Sequence, residues 1–265
     1  MRKKLPSAAE DEGRMSLTGH LRELRKRIIV CVLVFLAAAA LCLAFASRLV
    51  TLLTDLGAKY QYRFIYLAPQ ELLTVYFTIA LLGGLVLSLP VIATELYAFS
   101  KPGLKAGERR FFSASMVFGT LSFAVGVLFA WFVMAPFMLS FMIQFSRNVD
   151  IEASISVREY VSFLLTVFLI FGVVFELPVI IVLLTQLGIV KPAWLVKSRK
   201  YMVVIIFLIA ALITPPDVTS QVMVAVPIIG LYELSIALSR IFYRKKNKEA
   251  EAETEEETEE ETEES

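Results

Sequence analysis

The stretch that decides the fold is Phe111–Ser146, FFSASMVFGTLSFAVGVLFAWFVMAPFMLSFMIQFS, 36 residues without a Lys, Arg, Asp, Glu or His. About 18 apolar residues are enough to cross a bilayer. As one helix this run would measure ~54 Å at ~1.5 Å per residue, against a hydrocarbon core of ~30 Å. Pro136 is therefore expected to end the span, with Phe137–Phe145 lying along the far interface. Two more uncharged runs lie upstream, Ile28–Ser47 and Leu72–Thr94. Three such runs exclude an ordinary soluble domain. The whole chain agrees, with 57% apolar and 19% charged residues, where soluble domains are nearer half and a quarter.

The first span is read as Ile28–Ser47. Before it, Leu17, Leu21, Leu24 and Ile28 fall on one helical face, so Ser16–Arg27 is expected as a short amphipathic helix on the membrane surface. The second span is Leu72–Ala98, opened by Pro69 in a first-turn position. The fourth is Tyr160–Leu187, interrupted by Glu176 and Pro178. Tyr201–Pro216 and Val218–Tyr232 hold only 16 and 15 uncharged residues. Each covers ~20–24 Å as a helix, which fits either two thin spans or a re-entrant hairpin. Thr214-Pro215-Pro216-Asp217 must be the turn between them.

Alternating spans place 21 of the 26 Lys and Arg residues on one side and five on the other. The positive-inside rule then puts both termini in the cytoplasm. The expected organisation is a disordered cytoplasmic start (1–15), a membrane domain (16–243) and an acidic, disordered cytoplasmic tail (244–265). That tail holds 11 Glu in its last 17 residues, a composition that opposes a packed core. No internal repeat of the inverted-transporter kind is visible.

The same sequence excludes several chemistries. Cys31 and Cys42 share one helix, too far apart to bridge within the chain. His20 is the one histidine, so a His-rich metal site is impossible. Glycine-rich phosphate loops are absent. No cofactor, metal or nucleic-acid partner is expected.

The residues left to carry function are few. Glu176 sits mid-span in Phe175-Glu176-Leu177-Pro178, where a charge is costly. It reads either as a buried acid satisfied within the bundle or as a polar dock for a partner helix, or a proton-responsive site. Glu23 and Glu108 lie among arginines on the cytoplasmic side. Glu23 can simply pair with Arg27 at i, i+4, or the two acids can receive a cationic ligand, since carboxylates bind guanidinium groups through charge-assisted hydrogen bonds. Asp217 is a natural N-cap for the last helix. Glu95 and Glu233 lie near cytoplasmic ends, placed to snorkel or pair with basic neighbours. Gly83-Gly84 suits close helix packing.

Four motifs together resemble the TatC family, the multispanning core of the twin-arginine protein translocase. They are His20-Leu21-Arg22-Glu23-Leu24-Arg25-Lys26-Arg27; Ala98-Phe99 with Pro102-Gly103-Leu104 and Glu108-Arg109-Arg110; Phe175-Glu176-Leu177-Pro178; and Thr214-Pro215-Pro216-Asp217. The likeness is collinear over about Leu17–Tyr243. It implies an all-α polytopic protein of six transmembrane helices, the last two short, in a concave, glove-like arrangement. It implies a receptor, not an enzyme, in the prokaryotic cytoplasmic (inner) membrane. Such a receptor binds twin-arginine signal peptides of folded precursors through Glu23, Arg25, Phe99 and Glu108. It further implies assembly with the single-span partners TatA and TatB into a larger oligomeric complex in the lipid bilayer, with export driven by the protonmotive force. Glu176 would be the intramembrane polar site, Asp217 would mark the far-side turn, and Ala211, Leu212 and Ile213 would be candidate TatB contacts. The alternative is a proton-coupled secondary transporter of a small solute, with Glu176 as proton carrier.

Overall fold

A computed structural model describes residues 17–100, 106–147, 154–214 and 217–263, with the side chains of 17, 18, 20, 97, 100, 106–110, 145–147 and 245–263 outside the described set. The expected disordered start at 1–15 also lies outside it. In chain order the elements are α1 (Leu17–Ala44), α2 (Ala46–Ala58), β1 (Arg63–Ile65), α3 (Glu71–Ser100), α4 (Ala106–Phe129), a π-turn (Ala130–Met134) and α5 (Ala135–Arg147). Then follow β2 (Ser154–Ser156), α6 (Val157–Phe175), α7 (Leu177–Gln186), α8 (Pro192–Lys197), α9 (Arg199–Ile213) and α10 (Val218–Glu263). Among the described residues five helical runs are long and apolar enough to cross a bilayer: Leu21–Ala44, Glu71–Leu96, Phe111–Gln144, Val157–Gln186 and Val218–Arg244. The protein is an all-α multispan membrane protein, apart from one small parallel pair of strands.

Several expectations are corrected. Ser16–Arg27 does not form a separate surface helix: α1 runs unbroken from Leu17 through Arg27 into the apolar segment, because nothing near Arg27 interrupts helical hydrogen bonding. Pro69 lies in the turn before α3, not within its first turn. Pro136 does not end the third span. The missing N–H is absorbed one turn upstream, where the π-turn hydrogen-bonds Ala135 N–H to the Ala130 carbonyl and lets the helix continue into α5. Met138 and Leu139, placed along an interface by sequence, are instead buried in the core.

The description of the last two helices as short holds only for α9, at 15 residues. Helix α10 continues past Glu233, whose carboxylate accepts from Arg199 Nη2 at 2.6 Å. It also continues through the segment read as disordered, to Glu263. Ala, Lys and Glu are strong helix formers, and no Gly or Pro separates Leu231 from Glu263.

Helix α6 is the hub. On one side Val167 and Phe171 pack with Met134, Ile206, Ala210, Val224, Ile228 and Tyr232, joining α6 to α9 and α10. On the other, Tyr160, Val161 and Leu164 pack with Leu53, Val75, Ile79 and Leu139. The outward faces stay apolar, with Leu33, Phe118, Phe132, Leu208 and Val226 exposed. That is the distribution expected when lipid, not water, is the solvent.

The end of the bundle beneath α2 and α5 is tied by polar contacts. Tyr160 Oη donates to the Leu53 carbonyl at 2.9 Å and Tyr62 Oη to the Leu139 carbonyl at 3.2 Å. Strands β1 and β2 pair in parallel, Arg63 opposite Ser154 and Ile65 opposite Ser156. Glu71, which sequence reading did not single out, fastens this corner. It is 5% exposed. Its carboxylate accepts from the Leu67 amide at 2.6 Å, from the Arg158 amide at 3.0 Å and from the Ser156 hydroxyl. One side chain thus joins the start of α3, the end of β2 and the start of α6. Replacing it with Ala leaves the Leu67 and Arg158 amides without their acceptor. Amide hydrogen exchange at Leu67 and Arg158 is then expected to quicken roughly tenfold or more. Unchanged protection at both would show that Glu71 is dispensable to the corner.

Candidate functional site

At the opposite end of α3, helix α1 brings Glu23 and Arg27 against Glu95. The register is set by close packing about three to four turns deeper. A Cβ on Gly84 would lie 2.6 Å from Ala39 Cα, and one on Gly83 2.9 Å from Cys42 Sγ. Only small residues let α1 and α3 approach this closely. Arg27 Nη1 donates to Glu95 Oε2 at 2.7 Å and Nη2 to Glu23 Oε1 at 3.1 Å. Both carboxylate side chains are 19% exposed. One guanidinium therefore serves two carboxylates. The match is incomplete, since among the described residues the buried Glu23 Oε2 and Arg27 Nε find no hydrogen-bond partner. Phe99, half-buried, lies one turn beyond Glu95 on α3. Arg25 is exposed on α1, two residues from Glu23 and so on a different face. Glu108 lies on α4, and its side chain is outside the described residues.

The structure thus unites Glu23 with Glu95, and the second acid of the pair comes from α3. Both simple expectations are met here: Glu23 makes its i, i+4 pair, and Glu95 finds a basic neighbour.

Glu176 lies at the break between α6 and α7. Its carboxylate rests against α4: a Cβ on Gly119 would come within 2.9 Å of Glu176 Oε2. Among the described residues nothing hydrogen-bonds that carboxylate. The neighbouring Phe175 carbonyl accepts from Ser122 Oγ of α4 at 2.5 Å. This hydroxyl ties α4 to the helix break beside Glu176.

Asp217 is the N-cap of α10, accepting from the Ser220 amide at 2.8 Å and from the Ser220 hydroxyl. These two bonds, hydroxyl first, hold its carboxyl below the usual carboxylate range. Pro215 and Pro216 of the same turn lie outside the described residues. The three candidate partner contacts on α9 separate. Ala211 and Leu212 are exposed, Leu212 at 77%, while Ile213 is buried in the core with Ala210 and Val224. Ile213 is therefore corrected from partner contact to core residue. Among the described residues no group of His, Cys, Asp and Glu is placed to hold a metal.

Comparison with known proteins joins this geometry to a family. The family model for the Sec-independent protein translocase protein TatC matches residues 19–227. A TatC protein of Listeria innocua is 38% identical over 238 residues, covering 90% of this chain and 96% of the relative. TatCy of Bacillus subtilis is 37% identical over 240 residues, covering 91% and 94%. A crystal structure of a twin-arginine translocase receptor, TatC, superposes with a TM-score of 0.75 at 35% identity, covering 84% of this chain and 99% of the other. Nine-tenths of the length aligns with these relatives, and the folds superpose. The chain belongs to the TatC family of Sec-independent protein translocases, and is a membrane component of protein transport, not an enzyme.

Proposed function

We propose that this chain is the receptor that binds the twin-arginine signal peptides of folded precursors, at the end of the bundle formed by Glu23, Arg27, Glu95 and Phe99. The observation that carries the reading is that Glu23 already holds a guanidinium group, that of Arg27. A site that has the geometry for one arginine side chain has the geometry for another. Arg25 and Glu108 complete the surface, and Phe99 supports a guanidinium face. Both termini are cytoplasmic, on the charge asymmetry of the loops. The membrane is the prokaryotic inner membrane. Six spans cross it, α9 being the thin one, and the shape is the concave one of the family.

Partners follow the same logic. Glu176, half-buried and without a partner among the described residues, receives a polar group from a TatA or TatB helix. Ala211 and Leu212 face outward on α9 and suit a TatB contact. The complex is oligomeric and draws on the protonmotive force. The small-solute transporter reading is weaker. Glu176 faces the α4 backbone and apolar neighbours, not a set of convergent polar groups.

The test is crosslinking of the full chain to a signal peptide bearing two arginines, beside the same peptide bearing two lysines. Labelling that needs arginine, and that is lost in Glu23→Ala/Glu108→Ala, is expected. Equal labelling by both peptides, unchanged in the double variant, would reject the receptor site.

A further inference from the structure

Where α7 turns into α8 and α10 leaves its apolar segment, a cavity of about 180 Å³ is lined by Lys191, Pro192, Ala193, Arg240, Tyr243 and Arg244. Half of its lining is cationic and none is acidic. The position is at the membrane boundary, because the adjoining apolar runs end at Gln186 and Arg244. Gln186 Nε2 donates to the Phe242 carbonyl at 3.4 Å and holds the end of α7 on α10 beside it. Trp194, next to Ala193, is 58% exposed, and Tyr243 is on the wall. Exposed aromatic rings of this kind sit at headgroup level.

Arg27 and Arg199 are paired with carboxylates. Among the described residues Lys191, Arg240 and Arg244 have no ion-pair partner. Arg240 and Arg244 are one helical turn apart, a like-charge spacing that is unfavourable unless an anion lies between. An anion that enters from the membrane plane, meets two guanidinium groups and an ammonium, and rests beside aromatic rings has the chemistry of a lipid phosphate.

We propose that this cavity binds the phosphodiester of an anionic glycerophospholipid. The lipid bridges Lys191, at the entrance to α8, with Arg240 and Arg244 of α10, and neutralises the arginine pair. Free phosphate shares the anion chemistry but not the aromatic rim or the approach from the bilayer.

The experiment uses the full chain in vesicles, in a Trp131→Phe background that leaves Trp194 as the single indole. Quenching of Trp194 by brominated phosphatidylglycerol is compared with quenching by brominated phosphatidylcholine. A preference of about fivefold for the anionic lipid is expected, the scale of one Lys or Arg at an anionic surface. Arg240→Gln/Arg244→Gln should bring the ratio close to unity, and Lys191→Gln should lower it in part. Lys197→Gln/Lys200→Gln, which removes equal charge nearby but outside the cavity, should leave it unchanged. An unaltered ratio in the arginine variant, or an equal loss in the control variant, would overturn the site in favour of general surface charge. Exchange of chloride for inorganic phosphate at constant ionic strength should not alter the ratio. Its abolition would assign the cavity to soluble phosphate and overturn the lipid.

Discussion

Glu23→Gln is expected to weaken a twin-arginine peptide about ten- to hundredfold, the range for losing charge-assisted hydrogen bonds. Glu95→Gln is expected to weaken it about tenfold, and adding Arg27→Gln to Glu95→Gln is expected to restore most of that second loss. Arg27 and the incoming arginine compete for Glu23. Arg27 Nη2 is 3.1 Å from Glu23, while its Nη1 is 2.7 Å from Glu95. An incoming arginine can take Glu23 only if Arg27 yields it. Glu95 makes that possible by keeping Arg27 paired, since a guanidinium stripped of every carboxylate in a half-buried site is strongly disfavoured. With Gln at 95, the whole charge of Arg27 falls on Glu23 and opposes the ligand. With Gln at both positions, no internal competitor remains.

The sign of this cycle is the decisive quantity. If Arg27 and Glu95 serve only to pack α1 on α3, the double variant binds worse than either single variant. If they compete and release as argued, it binds better than Glu95→Gln alone. The measurement is peptide affinity by fluorescence anisotropy on the reconstituted full chain, with the two-lysine peptide as reference. An ammonium cannot reproduce the forked geometry of guanidinium, so the lysine peptide should respond less to all three changes.

Much of this was legible in the sequence, and the exceptions have physical causes. The uncharged runs gave the long helices, because apolar length is a local property. The break in span four at Glu176-Leu177-Pro178 was legible too, since proline removes a donor wherever it stands. Pro136 has the same chemistry but a different outcome. The helix absorbed it by widening one turn into a π-turn, a backbone adjustment that residue types do not announce. Glu71 was missed because its three donors are distant or unremarkable: Ser156 and Arg158 lie 85 and 87 residues away, and the Leu67 amide is backbone. Glu95 was marked as a residue seeking a base, yet Arg27 stands 68 residues away, and only the α1–α3 packing selects it. At Ile213 the helical turn decides. It points into the core while Leu212 beside it points out, and in a helix apolar on every face the sequence cannot separate the two.

That same α1–α3 packing carries the second large effect: Gly84→Val is expected to separate the two helices, unfold the guanidinium site and abolish peptide binding. A Cβ at Gly84 would lie 2.6 Å from Ala39 Cα, 2.7 Å from Ala39 N and 2.8 Å from Ala39 Cβ. Two of these are backbone atoms, so no rotamer change relieves the clash and α1 must move as a body. Overpacking of this sort costs roughly 1–3 kcal/mol or more. Here the displacement is also passed along a continuous helix to Glu23 and Arg27. Gly230 supplies the contrast, since a Cβ there meets nothing within 4 Å. Gly230→Ala should therefore be neutral or stabilising by up to ~1 kcal/mol through helix propensity. Cys42, buried against Gly83, reports the gap directly. In a Cys31→Ser background, a membrane-permeant maleimide should label Cys42 slowly in the parent and in Gly230→Ala, and much faster in Gly84→Val. Slow labelling in Gly84→Val, with peptide binding retained, would mean that α1 and α3 tolerate a wider spacing than their contacts imply, and that the ion network at their ends holds its geometry without the glycine.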